Sequence, residues 1–551
     1  MSNHEVNAAQ VPTVTDGVIQ ARGVWHRPNV TGVETNLAGI CSVLDTFQKT
    51  GINLVFLETF YHGMTVYRTN LIPYYTGFDA FDYSPYPDYL SAFVTEAEKR
   101  GIEVHAWVED FYIGVNENYF TKHLPQWLML TKDGASRQSE GAEYGGYLFL
   151  DPANPEVRQY LIKFYDELLT RFPQIAGLNL DYIRYPVSSM SDDTGYTEVA
   201  MDGFAAENGI VFPENATRAD KVKVVASQYG KWVNYRANQV TTFVGQVFDM
   251  VKLDHPNVLL STAVFPEQGK SFEDKKQDFS TWLERGYLDI ITPMAYYDDI
   301  PTLKRALEAM LPGLSACYCY AGISPTYHNL SNERVLSQMQ TAIEAGADGF
   351  VFFGSQSILN KQQYIDLLSE TIPDPALLPH ANAKALVEVT AQTVEQKLTA
   401  AGEPAEKIQE LLAQLSQMAD MAGDTDPDNM EEVHKQLRLL VKYNLDTYVS
   451  AENVAIVERD MQLLYRWIGV QATRLVTKTD RPDSGDEPEN PEVPEETTEP
   501  TSVPQTQTEG KKPAEKPKSM AKGLGLGAAI AVLAATAAAL FHVKRKGKQK
   551  R

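Results

Sequence analysis

Between Arg22 and Glu370 the chain alternates eight times between a short apolar run and a helical pattern, and few architectures accept that alternation. The strand candidates are Gly23–His26, Asn53–Thr59, Glu103–Glu109, Gly177–Tyr182, Val258–Phe265, Asp289–Tyr296, Cys317–Ile323 and Gly349–Phe353. They are nearly continuous in apolar residues, as expected of parallel strands covered on both faces. Helical spacing lies between them, at Thr35–Lys49, Asp88–Lys99, Pro155–Phe172, Asp220–Leu253, Phe279–Arg285, Pro301–Met310, Asn332–Glu344 and Lys361–Ser369. Gly51, Gly101 and Gly286 stand where helix C-caps need a left-handed residue. A doubly wound open sheet is the competitor, but no glycine-rich phosphate turn follows the first strand. The pattern therefore predicts an α/β fold, a (β/α)8 TIM barrel over 22–375.

Three loops after strands are long: Phe60–Pro87, Asp110–Asn154 and Val187–Thr217. In this fold such loops rise on the face that carries chemistry. The first is crowded with tyrosines, whose flat rings and hydroxyls suit sugar faces and edges. Packing the loop down is an equally simple use for about half of them.

The stretch Gly177–Pro186 concentrates the chemistry. A turn-forming Gly177 leads into Leu178 and Leu180, then Asp181, Tyr182, Arg184 and Tyr185 crowd the strand's C-terminal end, where barrel enzymes place catalytic groups. Other strand ends supply Trp25, His26 and Arg27; Glu58, with Tyr61 and His62 just beyond; Trp107, Glu109 and Asp110; Glu267; and Tyr296, Tyr297 and Asp298. Carboxylates among aromatic rings are the ingredients of glycoside hydrolysis, which needs one carboxyl ionised and another held protonated.

The motifs Arg22-Gly23-Val24-Trp25, Trp127 to Gly134 leading to Leu150-Asp151-Pro152-Ala153-Asn154-Pro155-Glu156-Val157-Arg158, Leu180 to Pro186, and Ile291 to Tyr296 together resemble the glycosyl hydrolase-like 10 family (DUF187 group), of which this chain would be a divergent member. The resemblance implies a TIM barrel acting on bacterial or host glycans, peptidoglycan strands among them. Where the family often has a second Asp at the fourth strand end this chain has Tyr182, and Ala263-Val264-Phe265-Pro266-Glu267 replaces the usual fifth-strand ending.

Asp181 is the expected nucleophile or electrostatic stabiliser, kept ionised by Arg184. Glu267, one strand along, is the expected acid/base, with Asp298, Glu109 and Glu58 as alternative acids. Trp25, His26, Arg27, Tyr61, His62, Trp107, Asp110, Tyr182, Arg184, Tyr185, Tyr296 and Tyr297 are the expected glycan contacts. Retaining and inverting outcomes both stay open. No metal or other cofactor is expected, because His26, His62 and His105 show no ligand-pair spacing. A non-catalytic surface glycan-binding protein and, behind it, a metal-dependent deacetylase are the competing readings.

Past the barrel the pattern becomes helical only, at Ala383–Ala400, Pro404–Met421, Met430–Lys442 and Ala451–Val476, a small bundle over 380–478 with spacing or docking as its default role. A linker rich in Pro, Glu and Thr over 479–520 follows. Then comes an uncharged apolar run, 523–541, of transmembrane length, and a basic tail, 542–551, which the positive-inside rule places in the cytoplasm. Residues 1–21 read as disordered. They lack an apolar leader core, although Val6-Asn7-Ala8 resembles a cleavage site, which places a leader upstream. The expectation is a single-pass cell-membrane protein with an extracellular barrel. A formal net charge of −23 argues against nucleic acid as a partner. Three cysteines cannot form a disulfide framework, and Cys317 and Cys319, two apart on a strand, suit core packing.

Overall fold

The computed structural model describes residues 18–479, apart from 315, 373–374 and 424–425. The expected linker, apolar 523–541 segment and basic tail lie outside the described residues, as does 1–17 of the N-terminal segment. Among the described residues no helix is long and apolar enough to cross a membrane.

Among the described residues nine strands form, β1 Ala21–His26, β2 Leu54–Tyr61, β3 Met64–Thr65, β4 Glu103–Val108, β5 Ile175–Leu180, β6 Leu259–Val264, β7 Ile290–Pro293, β8 Tyr318–Ile323 and β9 Gly349–Phe353. Eight are parallel neighbours in the order β1-β9-β8-β7-β6-β5-β4-β2, and a β1–β2 pairing closes the ring. The two-residue β3 pairs antiparallel with the end of β2 and starts the first long loop. Helices follow the strands, many opened by a side-chain cap such as Asn36, Asp88, Asn154 or Ser331.

Strand parity divides the core in two. Val55 and Leu57 on β2, Val104, Ala106 and Val108 on β4, and Leu178 and Leu180 on β5 pack with the helix layer. Leu54, Phe56, Trp107, Ala263, Tyr318 and Tyr320 fill the barrel interior. Cys317 and Cys319 belong to the helix-facing core as free thiols. Gly177 sits inside β5 instead of at a turn. A Cβ there would lie 2.3 Å from Nδ1 of His105, so the glycine makes room for that inward ring.

The interior core continues into the C-terminal helices Ala383–Ala400, Ala405–Ala422, Pro427–Leu439 and Val454–Thr479, whose buried Leu386, Val387, Leu411, Val433 and Leu464 join the same cluster. These helices meet the N-terminal end of the barrel. Arg474 pairs with Asp289 at 2.6 Å, Trp467 Nε1 donates to Asp348 at 2.6 Å, and Arg466 pairs with the same carboxylate. Asp289 and Asp348 directly precede β7 and β9, so the pairs lie at the strand starts, opposite the rim that the long loops overhang.

Candidate active site

Inward parity carries straight through the C-terminal strand ends. Positions 54 and 56 on β2 lead to Glu58; 105 and 107 on β4 lead to Glu109; 177 and 179 on β5 lead to Asp181. All three carboxylates are buried, Glu58 at 0%, Glu109 at 1% and Asp181 at 9% exposure. Arg27, one residue past β1, grips Glu58 with two nitrogens, Nη2 to Oε1 at 2.8 Å, and reaches Glu109 at 3.8 Å. Its guanidinium also lies 4.5 Å from the Tyr61 ring centre and 5.7 Å from that of Trp107.

Asp181 is held on both oxygens. Trp107 Nε1 donates to Oδ2 at 3.0 Å, and the Tyr182 amide donates to Oδ1 at 2.7 Å. Tyr182 adopts a left-handed φ of 50°, a conformation a tyrosine enters only when its surroundings impose it. Its ring stacks on Tyr112 at 4.5 Å, and the Arg184 guanidinium lies 4.7 Å from its ring centre. Arg184 is itself forked onto Glu140, at 3.0 and 3.1 Å, so it braces the long loop after β4 against the β5 end.

The electrostatics separate the acids. Burial pushes Glu109 well above the usual carboxylate range, and the neighbouring Glu58 pushes it further. Burial also raises Glu58 and Asp181. Arg27 draws Glu58 back down, while the Tyr182 amide, Arg184 and the Trp107 donor draw Asp181 down. Glu109 accepts the His62 amide at 2.7 Å but no guanidinium fork. The first proton bound by this group therefore belongs on Glu109, with Glu58 neutralised by Arg27.

Aromatic rings surround the carboxylates. Tyr296 stacks on Phe353 at 5.1 Å and on Tyr327 at 5.5 Å, and burial and the Asp181 charge both raise its phenol. Trp25 lies beneath, its Nε1 donating to Asn179 at 3.2 Å. The half-buried Phe353 and Tyr327 were not among the expected contacts. Phe353 has the inward parity of Val351, and Tyr327 follows the end of β8 by four residues, so only the first had a signal in the sequence.

Other expected residues stand apart from this group. Glu267 lies three residues beyond β6, 54% exposed, paired with Lys270 at 3.4 Å. Asp298 is exposed as well. His26 has the parity opposite to Trp25 and is sealed between Phe47 and Phe93; Ser355, His26 and Glu34 form a hydrogen-bonded chain at 2.7 and 3.0 Å, but all three are fully buried. Asp110 points behind the strand to the Tyr165 hydroxyl at 2.7 Å, and Tyr185 is buried against Asp151. Tyr297 packs on the helix-facing core. His62 stacks on Tyr61 at 3.8 Å, with its pKa lowered to about 3 by burial and Arg27. His105 faces the opposite end of the barrel, so the three histidines weighed as ligands do not converge.

The family model for "Glycosyl hydrolase-like 10" matches residues 20–312. The chain belongs to the glycosyl hydrolase-like 10 family. Curated relatives of this glycosyl hydrolase-like 10 chain include "Glycosyl hydrolase YngK" of Bacillus subtilis, 24% identical over 293 residues, 50% of this chain and 51% of the relative. "Glycosyl hydrolase DigH" of Escherichia coli is 25% identical over 279 residues, 46% of this chain and 56% of the relative. The chain thus spans about half the length of the curated relatives it matches. Among solved structures, the PgaB glycoside hydrolase domain from Bordetella bronchiseptica aligns over 64% of this chain and 99% of that one, with TM-score 0.44 and 11% identity. The matched segment covers the first seven strands and hence Arg27, Glu58, Glu109, Asp181 and Tyr296. Tyr327, Phe353 and the C-terminal helices lie beyond it.

Proposed function

We propose that the chain is a glycoside hydrolase that cleaves glycosidic bonds in a glycan, peptidoglycan strands or another polysaccharide, with Asp181 as ionised nucleophile or stabiliser and Glu109 as general acid. The observation that carries this reading is the unequal company of two buried carboxyls: Asp181 accepts from Trp107 Nε1 and the Tyr182 amide, while Glu109 accepts the His62 amide and lies beside the negative Glu58. Oxocarbenium chemistry requires that inequality: the protonated acid loads the leaving oxygen while the carboxylate meets the positive charge that develops on the sugar. Glu109 takes the role expected of Glu267, which stands exposed and paired with Lys270, apart from the buried carboxylates. Glu58 and Arg27 form the fixed pair whose negative half keeps Glu109 protonated. Tyr296, Phe353 and Tyr327 supply the flat apolar surface for a sugar ring.

Family membership supports the reaction class. The carboxylate pair also favours catalysis over simple glycan binding, since a binding site has no use for a buried acid held in its protonated form. No metal enters this scheme. The apolar 523–541 run and the basic tail support anchorage with the barrel outside the cell. Digestion of a glycan panel, peptidoglycan and host glycans included, tests the proposal. Wild type is expected to release fragments that Asp181→Asn does not. Wild type that binds glycans without turnover would replace the hydrolase with a receptor.

A further inference from the structure

We propose a second site at the other end of the barrel: a Zn²⁺-class divalent cation bound by Glu103, His105 and His380, tying the segment that leads into the C-terminal helices to the barrel base. The three residues come from two places in the chain. Glu103 and His105 share the inward face of β4, and His380 lies 275 residues beyond His105, just before the helix Ala383–Ala400. One ligand atom from each lies within 4.8 Å of the others. Glu103 Oε1 already gathers both imidazoles, 2.8 Å from His105 Nε2 and 2.7 Å from His380 Nε2. Two imidazoles and a carboxylate are a usual zinc donor set, and at bond lengths near 2.0–2.1 Å their donor atoms stand about 3.3 Å apart. The two carboxylate–imidazole contacts thus have to open by about half an ångström around the ion.

One further observation points to a ligand here. A cavity of about 290 Å³ borders Glu103 and His380, with Asn257, Asn382 and Gln471 on its wall, and leaves room for a water in a fourth position. The buried Nδ1 of His105 has no hydrogen-bond partner. That Nδ1 faces Gly177, on the side of the ring away from Glu103, and an ion held by Nε2 leaves it unpartnered. On metal binding each imidazole turns over to its Nδ1–H tautomer and gives its Nε2 lone pair to the ion; no proton is lost. His380 Nδ1–H then meets the Tyr320 hydroxyl, the outer hydrogen bond that orients a metal-bound imidazole. His105 exchanges one unpartnered state for another. Arg474, also on the cavity wall, has its charge met by Asp289, and burial of Glu103 is offset by the two histidines.

The site is independent of the glycan reading, and its failure leaves the rim chemistry untouched. Full-length protein stripped with chelator and titrated with Zn²⁺ by calorimetry, and with Co²⁺ by visible absorption, tests it. Expected are one tight ion per chain, a four-coordinate Co²⁺ spectrum, and a Zn²⁺-dependent rise in Tm. His380→Ala should weaken binding about 100-fold and abolish the rise, while Tyr320→Phe, which keeps all three ligands, should weaken it about 10-fold. Absence of tight binding at neutral pH, or equal binding by His380→Ala, would overturn the proposal.

Discussion

The two ends of this barrel treat buried acids in opposite ways. At the N-terminal base, Asp289 is met by Arg474 and by Lys252 at 2.9 Å, accepts the Leu260 amide at 2.7 Å, and is held below the usual carboxylate range by those cations despite its burial. Glu103 is likewise lowered, by His380 and His105. At the C-terminal rim, Glu58, Glu109 and Asp181 are buried as Asp289 is, yet all are raised. The difference lies in the count of opposing charges. The base gives Asp289 two cations and Glu103 two imidazole donors, and the rim offers Arg27 to Glu58 and leaves Glu109 with a contact at 3.8 Å. Compensated acids anchor one part of the fold to another, whereas an uncompensated acid holds a proton it can give away.

Substitutions at the two ends should therefore separate activity from stability. The largest effect is expected from Asp181→Asn, which should lower kcat on a glycan substrate about 10⁴-fold with the melting curve little changed; kinetics and thermal melts on the same preparation check it. Asp289→Asn should do the reverse. It leaves Arg474 and Lys252 facing a neutral group, at a cost of about 3 kcal/mol, read as a lower denaturation midpoint with kcat intact.

Glu109→Gln sharpens the contrast further. A carboxyl whose folded pKa is raised binds its proton more tightly when folded, so its contribution is full below its unfolded pKa near 4.3 and is lost as pH rises toward the folded value. Removing it should raise Tm at neutral pH, and the gain should vanish in melts below about pH 4. The mildest change is Trp107→Phe, which takes one donor from Asp181 and should lower kcat/KM about 10-fold, the size of one hydrogen bond to a charged group.

Most of the barrel was legible because its strands are buried on both faces and so read as apolar runs. Gly349–Phe353 coincides with β9, and Asn53–Thr59 differs from β2 by one or two residues at each end. The long helical run Asp220–Leu253 breaks near Gln228 into Arg218–Ser227 and Tyr229–Asp254, a break that apolar spacing alone does not mark. The site was harder to read, since a strand-end carboxylate counts only where the strand still directs its side chain. Asp181 and Glu109 follow their last strand residues at once, whereas β6 stops at Val264 and Glu267 has the right parity with no strand to aim it. His26 and Asp110 have the wrong parity and turn into the helix layer. Contacts such as Arg184 with Glu140, or Glu103 with His380, join residues distant in sequence, and no local pattern announces them.

The unequal ionisation of Glu109 and Asp181 is tested most directly by the pH profile of kcat/KM for wild type against Glu109→Gln, on a glycan whose leaving group is good enough for the variant to turn over. Wild type should give a bell, its acid limb set by Asp181 gaining a proton and its alkaline limb by Glu109 losing one. The variant should keep the acid limb and lose the alkaline one. An alkaline limb unchanged by the substitution would contradict the account.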